Sequence, residues 1–120
     1  MICILKIIVG SDFFYGTMSE CFTCTFYCQT ERGAFPDGGS TDFALTVLSW
    51  WSNAVGEVIY VKETKFKLLL EDGSFWIDAE KRDDAVTLHF NTDRRGISVI
   101  PDAQIPFSDL AEAVERAMRS

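Results

Sequence analysis

From Thr64 to Lys81 apolar and polar residues alternate on either side of Asp72-Gly73. That dipeptide favours a two-residue type I′ hairpin turn, because both of its positions accept positive φ. The turn sets the register of strands Thr64–Glu71 and Ser74–Lys81. Phe66 then faces Ala79, Leu68 faces Ile77 and Leu70 faces Phe75, which makes one face wholly apolar. On the other face Lys65 meets Glu80, Lys67 meets Asp78 and Leu69 meets Trp76. Opposite charges and apolar partners each stabilise such a pair by about 0.2–1 kcal/mol. A slip of one residue would exchange the two faces.

The alternation continues beyond a turn at Lys81-Arg82-Asp83-Asp84. Val86, Leu88 and Phe90 alternate with Thr87, His89 and Asn91, and His89 is expected across from Trp76. After a second turn, Asp93-Arg94-Arg95-Gly96, a strand opens at Ile97 and Val99 and reaches an edge near Pro101. At the other end, residues 2–9 are rich in Ile and Val and read as a strand. Residues 21–30 read as another, with Phe22, Cys24, Phe26 and Cys28 on one face.

Two segments have helical spacing instead. From about Thr41-Asp42, Phe43, Val47, Trp50 and Ala54 form one apolar stripe. Ala44, Leu48, Trp51 and Val55 form a second. Ser40 or Thr41 can cap this helix, and it ends at Gly56 or near residue 60. From Ser108 to Met118, Leu110, Val114, Ala117 and Met118 form a buried stripe. Asp109 with Glu112 reads as a capping box. Residues 31–41, with Gly33, Pro36, Gly38 and Gly39, read as a loop.

The expected order is therefore β-β-α-β-β-β-β-α. This is an α+β fold, an antiparallel β-meander with two helices packed on it and the Trp-bearing helix covering its apolar face. At 120 residues the chain suits a single domain spanning residues 1–120.

The net charge of −7 is spread along the chain, and no segment is basic. The footprint of a phosphate-backbone binder is missing, so nucleic acid is not the expected partner. An acidic surface attracts basic partners instead. A membrane span needs about 20 consecutive apolar residues, and no run approaches that length. In the N-terminal run Lys6 sits inside the apolar stretch rather than before it, unlike an export signal. The expected location is the cytoplasm, with no membrane partner.

Candidate chemistry is sparse. Cys21 and Cys24 have C-x-x-C spacing, with Cys28 nearby, and together they are the candidate metal or redox set. Residues three apart on a strand point to opposite faces, however, and no second ligand pair follows. His89 is the only histidine, so every His-dependent nucleophile would rest on it. No catalytic residue and no cofactor is expected. Asp93-Arg94-Arg95-Gly96 has the donors to clamp an anion. Phe35-Pro36, Phe43, Trp50 and Trp51 read first as core, and secondarily as an interface rich in hot-spot residues.

The run Phe35-Pro36-Asp37-Gly-Gly-Ser-Thr41-Asp42-Phe43, continuing to Val47-Leu48-Ser49-Trp50-Trp51, carries a resemblance. With Glu71-Asp72-Gly73 and Asp93-Arg94-Arg95-Gly96 it resembles a pattern seen in small uncharacterised bacterial proteins. Some of these look like immunity proteins of contact-dependent or polymorphic toxin systems. The resemblance implies a small protein that neutralises a toxin, and it carries over no catalytic residues. Gly38-Gly39 departs from it, since bulkier residues stand there in the other proteins.

The expectation is a non-enzymatic cytoplasmic binding protein, immunity-like, that inhibits a basic protein toxin. Its partner-binding residues would be Leu69, Trp76, Asp78, Glu80 and His89. The alternatives are a metal- or redox-active cysteine protein and a homodimeric structural subunit.

Overall fold

The computed structural model describes residues 5–9, 24–71 and 73–119, with Cys24, Thr25 and Thr41 described by backbone alone. The predicted hairpin is present in the predicted register. Strands β5 (Glu63–Leu69) and β6 (Phe75–Arg82) pair antiparallel with Phe66 opposite Ala79 and Leu68 opposite Ile77. Asp72, the first turn residue, lies outside the described residues. Strand β7 (Ala85–Thr92) pairs with β6, and β8 (Ala103–Pro106) pairs with β7. Ile77, Leu68, Val86, Leu88 and Ile105 are buried on the inner face, and Phe66 is half-buried. Full burial of such a side chain contributes about 1.5–3 kcal/mol.

Three expectations about this sheet change. Lys81 and Arg82 belong to β6, and the turn is the two-residue Asp83-Asp84, with Asp83 at φ 51°. The tighter turn brings His89 opposite Asp78, and Asn91 rather than His89 faces Trp76. The last strand is not at 97–99 but at 103–106. Ile97 is exposed, whereas Val99 and Ile100 pack against the core without joining a ladder. Pro101 lacks an N–H for a ladder bond, and the chain pairs only after passing it.

The N-terminal strands form a second sheet rather than extending the meander. Here β1 (Lys6–Val9), β2 (Cys24–Thr30) and β3 (Gly33–Phe35) are neighbours in that order, and the short β4 (Thr41–Asp42) also pairs with β2. The rest of the predicted segments 2–9 and 21–30 falls outside the described residues, as do Cys3, Cys21 and Phe22. The segment expected as loop thus contributes two short strands. Gly33 permits the first, at φ 137°, and a Cβ there would stand 2.9 Å from Ile100 Cγ2. No other residue type fits that approach without a shift.

Helix α1 (Ala44–Val58) passes through Gly56. It has Phe43 at its N-cap and no side-chain cap, so neither Ser40 nor Thr41 serves. Asp42 instead accepts from the Phe43 N–H at 2.7 Å. Ala44, Leu48, Trp51 and Val55 are buried as expected. The stripe of Phe43, Val47, Trp50 and Ala54 splits, because Val47 is buried while Phe43 and Trp50 each keep 40% of their surface exposed on the helix shoulder.

Helix α2 (Phe107–Met118) has Pro106 at its N-cap, and the capping box does not form. The Phe107 N–H donates to the Asp84 carbonyl at 2.6 Å instead. Phe107, Leu110, Val114 and Ala117 are buried, while Met118 remains exposed.

Both helices cover the inner face of the four-stranded sheet. Helix α1 lies against α2, β5 and β2, and α2 lies against β8 and β1. Ring contacts join the two sheets and α1. Phe26 meets Trp51 edge-on with centroids 5.4 Å apart, and Phe35 meets Phe90 at 5.0 Å. The Trp51 indole N–H donates to the Leu69 carbonyl at 2.7 Å. Lys81 is buried on the inner face, its ammonium donating to the Val61 carbonyl and lying 4.8 Å from the Phe107 ring centroid.

Candidate functional site

The alternation that buries Ile77 and Leu88 sends every second residue of β5, β6 and β7 to the outer face. Leu69, Trp76, Asp78, Glu80 and His89, the five residues singled out from the sequence, all lie there. Leu69 pairs with Trp76 at the hairpin end and is 48% exposed. The charged pairs follow along the ladder. Lys67 lies 3.7 Å from Asp78, and Lys65 lies 3.3 Å from Glu80.

Polar bonds knit these pairs into one network. One oxygen of Asp78 accepts from the Trp76 indole N–H at 3.3 Å and from the Asn91 amide at 3.1 Å. Asn91 also donates to the His89 carbonyl at 2.9 Å. His89 stands between two carboxylates, with Nδ1 2.7 Å from Asp102 and Nε2 3.3 Å from Glu80.

Partial burial pulls the His89 pKa down. The hydrogen bonds and charges of Asp102 and Glu80 outweigh it, so the pKa rises above the ordinary value. Glu80 moves the other way, held below the usual carboxylate range by its hydrogen bonds to His89 and Lys65 and by the Lys65 charge. An imidazole flanked by two acceptors is best satisfied when both nitrogens carry protons. In that form it has no lone pair with which to take up a proton. The two carboxylates therefore favour the protonated imidazole, and Asp78 orients Trp76 through the indole N–H.

A final strand at 97–99 leaves Asp102 off this face, whereas β8 at Ala103–Pro106 brings it there. The alternation of Ala103 and Ile105 with Gln104, directly before a helix, is the signal that identifies it.

The cysteine set is only partly visible. Cys28 is buried in the core opposite Phe35, and burial pushes its thiol up to about 12. Cys21 lies outside the described residues, and nothing is described of the Cys24 side chain. Among the described residues no three His, Cys, Asp or Glu side chains converge to hold a metal ion. No helix among them is long and apolar enough to cross a membrane.

No protein-family model, no curated protein and no solved structure matches this chain.

Proposed function

We propose that the protein is a non-enzymatic, cytoplasmic binding protein that holds a basic protein partner on the outer face of its four-stranded sheet. This is the role an immunity protein plays toward a toxin. The observation that carries the reading is the Leu69–Trp76 pair, an apolar cross-strand contact left open beside Asp78, Glu80 and Asp102. Tryptophan in a defined orientation is a frequent hot spot, and a rigid polar surround lowers the ordering cost of docking.

The electrostatic support comes from the whole chain. The face itself interleaves Lys65, Lys67 and Arg82 with its carboxylates, and several of these are paired. The net charge of −7 acts at longer range, where it speeds encounter with a basic partner and makes the rate fall with salt.

The test is capture of a partner from extracts of the native cells at low salt, using the immobilised protein and a Leu69→Asp/Trp76→Ala variant. A stoichiometric basic protein that is retained by the parent, released by salt and lost with the variant supports the proposal. Recovery of no stoichiometric partner, or equal retention by the variant, overturns it.

A further inference from the structure

A groove of about 430 Å³ runs between the N-terminal strand and the second helix. One wall is residues 5–8, which include three of the four residues of β1. The other is Asp109, Glu112, Ala113 and Arg116 of α2. Their spacing, i, i+3, i+4 and i+7, is that of one helix face. This face lies beside the buried stripe of Leu110, Val114 and Ala117 and is not itself buried. Ala113, with only a methyl group at its middle, leaves the groove its depth.

Strand β1 stands at the end of its sheet, and among the described residues β2 is its only ladder partner. A strand so placed carries a second row of main-chain N–H and C=O groups. Leu5, Ile7 and Val9 pack against the core, while Lys6 is exposed on the opposite face. Consecutive residues that point to both faces line the groove, so it follows the edge of the strand rather than one face. On the helix wall Glu112 and Arg116 pair with each other at 2.5 Å. Asp109 is exposed and has no ion-pair partner among the described residues.

We propose that this groove takes up an extended segment of a partner protein, which adds to the second edge of β1 as a further strand. The occupant follows from the walls. A strand edge is matched along its length by another extended backbone, which neither a helix nor a compact small molecule offers. Alternate side chains of the added strand turn inward onto Ile7 and Ala113, and these are apolar. A side chain that reaches Asp109 is basic. The groove belongs to the N-terminal sheet, so the proposal does not rest on the reading of the outer face of the four-stranded sheet.

The test selects random heptapeptides displayed on phage against the immobilised protein. Enriched sequences should alternate apolar residues and carry a basic one, and the best of them should shift the amide NMR signals of residues 5–8 and 109–116. Ala113→Trp, which fills the groove, should weaken that peptide about tenfold or more. Asp109→Asn should weaken it about two- to fivefold, with circular dichroism confirming that both variants are folded. The peptide is then made with alternate amides N-methylated, in each of the two frames. One frame should abolish binding and the other leave it, because only one edge of an added strand bonds to the protein. No enriched peptide, shifts confined to other residues, or an equal effect of methylation in the two frames would overturn the proposal. So would a folded Ala113→Trp variant that binds like the parent.

Discussion

Nδ1 of His89 lies 2.7 Å from a carboxylate oxygen of Asp102, across the last two strands of the sheet. This contact and the 3.3 Å approach of Glu80 to Nε2 raise the His89 pKa above its ordinary value. The folded value thus exceeds the unfolded one, near 6.5. Protonation then favours the folded state. The stabilisation is complete below about pH 6.5, while the carboxylates stay ionised, and is lost as pH rises through the folded value. The site is partly exposed, so the effect stays below about 1 kcal/mol. Asp102→Asn should lower the His89 pKa in an NMR titration. It should also reduce urea stability more at pH 6 than at pH 9.

The same titration reaches the proposed interface. Deprotonation removes one positive charge from the outer face. A basic partner should therefore bind more tightly at pH 9 than at pH 6, and His89→Gln should flatten that dependence in a Kd series at fixed salt.

Trp51 joins three parts of the molecule, through its edge contact with Phe26, its burial in α1 and its hydrogen bond to the Leu69 carbonyl. Trp51→Ala should cost about 3–5 kcal/mol through lost packing and a cavity. Trp51→Phe keeps most of the volume but leaves the carbonyl without its donor, which should cost about 1–3 kcal/mol. Denaturant unfolding of both variants distinguishes packing from hydrogen bonding.

Gly33 combines positive φ with a 2.9 Å approach to Ile100. Gly33→Ala should destabilise by roughly 1–3 kcal/mol, as strained backbone positions do. Ile100→Ala in the same chain should relieve the contact but not the backbone strain. The double variant should therefore lose less than the sum of the two single losses.

Cys28 has its thiol pushed up to about 12 by burial, so almost none is thiolate at neutral pH. Peptide mapping after treatment with an alkylating reagent at pH 7.5 should find Cys28 unmodified in the folded protein and modified after denaturation.

The register of the central hairpin was legible because turn chemistry and alternation agree, from Phe66 opposite Ala79 to Leu69 opposite Trp76. The next register was not. Asp83 makes a tight turn without the glycine that usually marks one, so His89 falls opposite Asp78 instead of Trp76. Ile97 and Val99 have strand-like composition, yet the pairing that decides the matter belongs to residues 103–106. The outer face could be read because its members lie in adjacent, regular strands. The meeting of Asp37 and Arg94 around one cleft could not, because they sit in loops more than fifty residues apart, and local periodicity says nothing about which loops meet. Trp50 shares a helical stripe with Val47, but its place on the shoulder of α1 depends on where the neighbouring elements end.

The Asp83-Asp84 turn does more than reverse the chain. Asp83 donates its N–H to the Lys62 carbonyl at 2.7 Å, and Asp84 accepts from the Phe107 N–H at 2.6 Å. One hairpin tip thereby fastens the entrance of β5 and the first residue of α2. Relocating the chain ends by circular permutation would be poorly tolerated there, since a cut would loosen two distant junctions together. The Gly38-Gly39 tip, exposed and with open space around Gly38, is the more permissive place for new termini or an inserted tag.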